Sequence, residues 1–80
     1  MKIVAEMSLY PLKDGPIPDI IAFIDQLRTQ PGLEVVSNQL STQLRGEFDV
    51  VMDALKTEIG TTFEAVPKAV FAIRILNNPL

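Results

Sequence analysis

The chain has 80 residues, 48% of them apolar, a net charge of −3, and neither histidine nor cysteine. That composition supports one small folded domain of roughly 60% buried surface. It excludes disulfides, thiolate or imidazole zinc sites and any histidine-containing hydrolytic triad. Acids and bases are interspersed without a basic stripe, so binding to nucleic acid is not expected.

Residues 2–10 alternate, with Ile3, Ala5, Met7 and Leu9 on one side and Lys2, Val4, Glu6, Ser8 and Tyr10 on the other. This is the period of a two-faced strand. Pro11 ends it, and the segment "PLKDGPIP" carries turn chemistry at Gly15 and Pro16. From Pro18 onward Ile20, Ile21, Phe23, Ile24 and Leu27 recur at helical spacing, with Asp19 suited to the first turn. "TQPG" stops that helix.

"LEVVSNQ" and "STQLRG" predict a strand pair, close enough in sequence to form a hairpin. Gly46 then breaks the strand, and "EFDVVMDALKTEI" predicts a second helix with Phe48, Val51, Met52, Leu55 and Ile59 on one stripe. "GTTFEAVP" is expected to be a loop. "KAVFAIRIL" is apolar at nearly every residue, as suits a strand covered on both sides. "NNPL" is expected to be a frayed tail. Phe48, Met52, Phe63 and Phe71 are core candidates by spacing, and one of them is available to stack on an aromatic ligand.

The order β-α-β-β-α-β with right-handed crossovers gives an α+β ferredoxin-like plait. A four-stranded antiparallel sheet then carries two helices on one face, in a single domain spanning residues 1–80. The other face is open, and apolar side chains on it require a second subunit or a ligand as cover. No apolar run approaches a bilayer-spanning length. The N-terminus lacks a signal-peptide pattern, and a cytoplasmic location is expected.

The segments "KIVAEMSLYPL", "GLEVVSNQLST", "GEFDVVMDALK" and "VFAIRI" together resemble the thiamine-binding-like family (the MTH1187/YkoF-like superfamily). The likeness runs over nearly the whole chain, and is strongest in "AEMSLYP" and "STQLRGEFDVVMDAL". It implies a ferredoxin-like domain that assembles into dimers or tetramers through its sheets. It also implies a pocket for thiamine or its hydroxymethylpyrimidine moiety, with no turnover, no cofactor and no metal. The family's strand-one pattern falls on Glu6, Ser8, Tyr10 and Pro11; its second pattern falls on Ser41, Thr42 and Gly46, with Asn38 in the polar turn before it. The chain departs from the pattern after the last strand, where Leu76, Asn77 and Asn78 stand in place of an acidic pair and an arginine.

Glu6, Ser8, Asn38, Ser41 and Thr42 are therefore the candidate ligand-binding residues, and no catalytic or metal-ligating set is expected. Asn38, Ser41 and Thr42 also have the plainer reading of a hairpin turn. Hydroxyls and an amide alternatively match the ring nitrogens and exocyclic amine of an aminopyrimidine. Glu6 has the reading of a solvated acid paired with Arg45 or Arg74, beside that of a carboxylate balancing a thiazolium cation. Tyr10 suits a subunit contact. Gly46 opens a helix N-terminus, but Glu47 and Asp49 crowd it with negative charge, which favours an unphosphorylated vitamin over its diphosphate.

Rivals on the same fold find little here. For base stacking the central strands offer only Tyr10, near the end of the first, the cysteine pair of a metal chaperone is absent, and "PLKDGP" offers only Lys13 for a phosphate loop. The competing expectation is a structural or regulatory interaction module that binds no small ligand.

Overall fold

The computed structural model describes residues 1–79. Leu80, the last residue of the expected tail, lies outside them. Six elements follow in order: β1 (Lys2–Pro11), α1 (Ile17–Arg28), β2 (Glu34–Ser37), β3 (Thr42–Glu47), α2 (Phe48–Ala65) and β4 (Ala69–Asn77). The strands form one antiparallel sheet in the order β2-β3-β1-β4, the ferredoxin-like plait expected. No helix among the described residues is long and apolar enough to cross a membrane.

The alternation in β1 decides the layering. Ile3, Ala5, Met7 and Leu9 are buried under the helices, where they meet Phe23 and Leu27 of α1, Leu44 of β3, and Val51 and Leu55 of α2. Their burial drives docking of sheet and helices, since apolar area removed from water stabilises by roughly 25 cal/mol per Å2. Gly46 sits where β3 passes beneath this layer. A side chain there would come within 3.0 Å of the Gly32 carbonyl and 3.3 Å of Leu33, so the position requires glycine for close approach.

Four expectations need correction. The segment 60–65 is helix, because α2 runs on through Gly60 to Ala65. Burial of Glu58 and Thr62 and the packing of the Phe63 ring 5.6 Å from that of Phe71 continue its inner stripe, and Pro67 stops it. Phe48, at the first turn of α2, and Phe63, near its end, are exposed rather than in the core. β4 is an edge strand, and this chain leaves Val70, Ile75 and Leu76 substantially exposed. Asn77, expected in the tail, is its last residue.

Candidate functional site

The pairing of β1 ends unevenly. On the β4 side it continues to Pro11, opposite Ala69. On the β3 side it stops at Met7 opposite Thr42, so Ser8, Leu9 and Tyr10 run past the end of the neighbouring strand. A notch is left in the sheet, and the β2–β3 connection folds beside it.

That connection is built by Asn38. Its side-chain Oδ1 accepts from the main-chain N–H of Leu40 at 2.7 Å and of Ser41 at 3.0 Å, and its own N–H donates to the Ser41 carbonyl at 3.0 Å. This Asx geometry curls residues 38–41 back on themselves, so β2 ends at Ser37 rather than running to Gln39 as the sequence pattern predicts. Ser8 Oγ then ties the loop to β1 by donating to the Leu40 carbonyl at 3.2 Å. Thr42 Oγ1 and Ser37 Oγ share a hydrogen bond of 2.9 Å at the mouth of the hairpin.

A cavity of ≈ 220 Å3 occupies the notch. The loop side of its lining includes Asn38, Leu40, Ser41 and Thr42. The strand side is Met7, Ser8, Leu9 and Tyr10, and the third wall is Ile20, Phe23 and Ile24 of α1. An apolar wall with an aromatic ring faces clustered hydroxyls and an amide, the usual makeup of a small-molecule site. The structure thus brings together Ser8, Asn38, Ser41 and Thr42. Phe23 is the aromatic side chain of the α1 wall, whereas the sequence pattern had pointed to Phe48, Met52, Phe63 and Phe71. Its spacing with Ile20 and Ile24 marks a buried helix face and carries no mark of a site.

Glu6 is placed elsewhere. It faces the open side of the sheet, in a shallow hollow of ≈ 310 Å3 with Val4, Gln43, Arg74, Ile75 and Leu76. Of its two possible partners it pairs with Arg74, which stands opposite it in β4 and donates through both Nε (3.1 Å) and a terminal nitrogen. Ser41 Oγ at 3.1 Å and Gln43 Nε2 at 3.4 Å also donate to it. Glu6 therefore reaches the cavity only through Ser41, whose hydroxyl it orients. These donors, Arg74 first, then Ser41 and Gln43, hold its carboxyl below the ordinary value of 4.5.

A lowered carboxyl pKa stabilises the fold above the unfolded value, and the contribution is lost as pH falls from about 4.5 through the folded value. Glu6→Gln is expected to flatten the acid limb of thermal stability below about pH 5, with a small effect at pH 7 where the exposed pair is screened. Melting curves of both proteins from pH 3 to 7 check this; parallel acid limbs would contradict it.

A larger hollow, ≈ 380 Å3, opens at the opposite end of the sheet beside Lys2, Glu34, Arg45 and Gly46. No aromatic side chain and no hydroxyl line it, so the notch is the better candidate despite its smaller volume. Among the described residues no three acidic side chains gather as metal ligands would.

No family model and no curated protein matches the chain. Solved structures do. A hypothetical protein of Methanocaldococcus jannascii is 28% identical, with a TM-score of 0.83 over 98% of this chain and 81% of its own. A Streptococcus pneumoniae protein is also 28% identical, with a TM-score of 0.82 over 100% and 90% of the two chains. A Thermotoga maritima protein, described as a candidate for thiamine biosynthesis or salvage, is 20% identical, with a TM-score of 0.76 over 94% and 82%.

Proposed function

We propose that this chain is a non-catalytic small-molecule binding protein that holds thiamine by its hydroxymethylpyrimidine moiety, or that moiety alone, in the notch beside β1. The carrying observation is the ≈ 220 Å3 cavity in which Ser8, Asn38, Ser41 and Thr42 stand across from Phe23. Its volume lies below the ~300–1,000 Å3 of drug-sized sites, which favours one substituted ring inside and the remainder of a vitamin outside. The wall chemistry suits a flat heteroaromatic: a ring face against Phe23 and hydrogen-bonding groups along the loop. The thiamine link of the Thermotoga neighbour supports the same ligand class.

A second copy of the chain is the proposed partner, seated on the open sheet face. Tyr10, Val36, Val70 and Leu76 stand exposed there, and exposed apolar side chains on one sheet face mark a contact surface. Sedimentation velocity at micromolar concentration is expected to give a dimer or tetramer, and a monomer would contradict this part. A module that only self-associates is the competing reading, favoured by the same exposed face.

Calorimetric titration separates the two. The hydroxymethylpyrimidine is expected to bind with micromolar Kd, thiamine comparably and thiamine diphosphate more weakly. Thr42→Val, which removes the hydroxyl and keeps the branched shape, is expected to weaken binding about 10-fold by leaving a polar group unmatched. Silence with all three ligands, from folded protein, would leave the interaction module.

A further inference from the structure

The hydrogen-bond parity of β1 identifies main-chain groups that no strand uses. Met1 accepts from Phe48 across the β3 side at 2.8 Å, and Leu12 donates to Lys68 across the β4 side at 2.9 Å. In an antiparallel ladder the N–H and C=O of one residue point the same way, and the direction alternates residue by residue. Odd-numbered residues of β1 therefore aim toward β3 and even-numbered ones toward β4. Ile3, Ala5 and Met7 meet Gly46, Leu44 and Thr42. Leu9 comes next, and its ladder partner would be Leu40, but β3 has already ended.

Leu40 is committed elsewhere. Its N–H donates to Asn38 Oδ1 and its carbonyl accepts from Ser8 Oγ. Among the described residues, none donates to or accepts from the Leu9 main chain on this side. Pro11, the next residue aimed that way, has no N–H. The free edge thus offers one paired donor and acceptor at Leu9, bordering the cavity, and no room for an added strand to extend its ladder.

We infer that the Leu9 N–H and C=O form a two-point reading head for the amidine edge of an aminopyrimidine. The Leu9 N–H donates to the ring nitrogen, and the Leu9 carbonyl accepts from the exocyclic amine beside it. One residue on a strand edge presents these groups side by side, as the ligand edge does. Main-chain groups fixed by the sheet are also better positioned than flexible side chains. This inference rests on the ligand class proposed above and deepens it: the backbone of β1 selects for the amine, while Ser8, Asn38, Ser41 and Thr42 shape the loop and contact the remaining substituents.

The test uses the intact wild-type chain, labelled with 15N, titrated with 4-amino-5-hydroxymethyl-2-methylpyrimidine and with its analogue lacking the 4-amino group. The Leu9 amide proton is expected to move downfield and to exchange at least about 10-fold more slowly on saturation, while the Ala5 amide in the ladder stays put. The analogue is expected to bind about 10-fold more weakly, because it leaves the Leu9 carbonyl unmatched. Binding of the amine with an unmoved Leu9 amide, or equal affinity for both compounds, overturns the reading head and leaves the binding function standing. Failure of both pyrimidines to bind overturns the binding function and the reading head together.

Discussion

Asn38→Ala is expected to remove both the ligand site and a measurable part of the stability. One side-chain oxygen satisfies two main-chain N–H groups, those of Leu40 and Ser41, and so sets the curl of the whole loop. Its loss costs about 1–3 kcal/mol, or a Tm lower by roughly 5–20 °C in a domain this small. Binding of the pyrimidine is expected to fall more than about 10-fold, because Ser41 and Thr42 lose their placement. Asn38→Asp keeps the accepting oxygen and is expected to recover most of the stability. Urea denaturation and calorimetry on the two variants distinguish a turn-forming residue from a bystander. Equal stability of wild type and Asn38→Ala would contradict this account of the loop.

Leu44→Ala is expected to have the largest effect on folding. Leu44 is 0% exposed, in β3 between Ala5 of β1 and Val35 of β2, and belongs to the main apolar cluster. Removing its branched end leaves a cavity under both helices, at about 2–5 kcal/mol. Total stability of such domains is about 5–15 kcal/mol, so the Tm is expected to fall on the order of 10–30 °C. A fall under about 5 °C would show that the core collapses around the gap more freely than its packing implies.

Much of this architecture is legible in the residues. The alternation from Lys2 to Tyr10 gives β1 and both of its faces, and the proline and glycine signals place the first helix and the hairpin. The six-element order then leaves few topologies. What escapes detection has physical reasons. Gly60 and the two threonines after it lower local helix propensity, and only the burial of Thr62 and the contact of Phe63 with Phe71 carry α2 to Ala65. The apolar run of β4 looks alike whether the strand is central or at an edge, because its covering is decided by sheet order. Phe48 shares the spacing of the buried stripe but falls in the first turn, where it is exposed.

The candidate site divides the same way. Polar residues gathered around the hairpin mark Asn38, Ser41 and Thr42, and the strand pattern marks Ser8. Glu6 needs the register before its partner can be chosen: Arg45 is offset by two residues from its β3 neighbour Gln43, whereas Arg74 lies directly opposite in β4. That register turns a candidate ligand carboxylate into the group that orients Ser41. Leu9 is invisible by side chain, since every residue carries the same N–H and C=O. Only the unequal lengths of β1 and β3 set its pair free.

The central claim is that the notch beside β1 is the ligand site. A crystal structure of the protein grown with 4-amino-5-hydroxymethyl-2-methylpyrimidine tests it most directly. The account predicts the ring between Phe23 and the 38–42 loop, its amine edge on the Leu9 main chain. A ring bound instead against Glu6 and Arg74 on the open sheet face, with the notch empty, would contradict it.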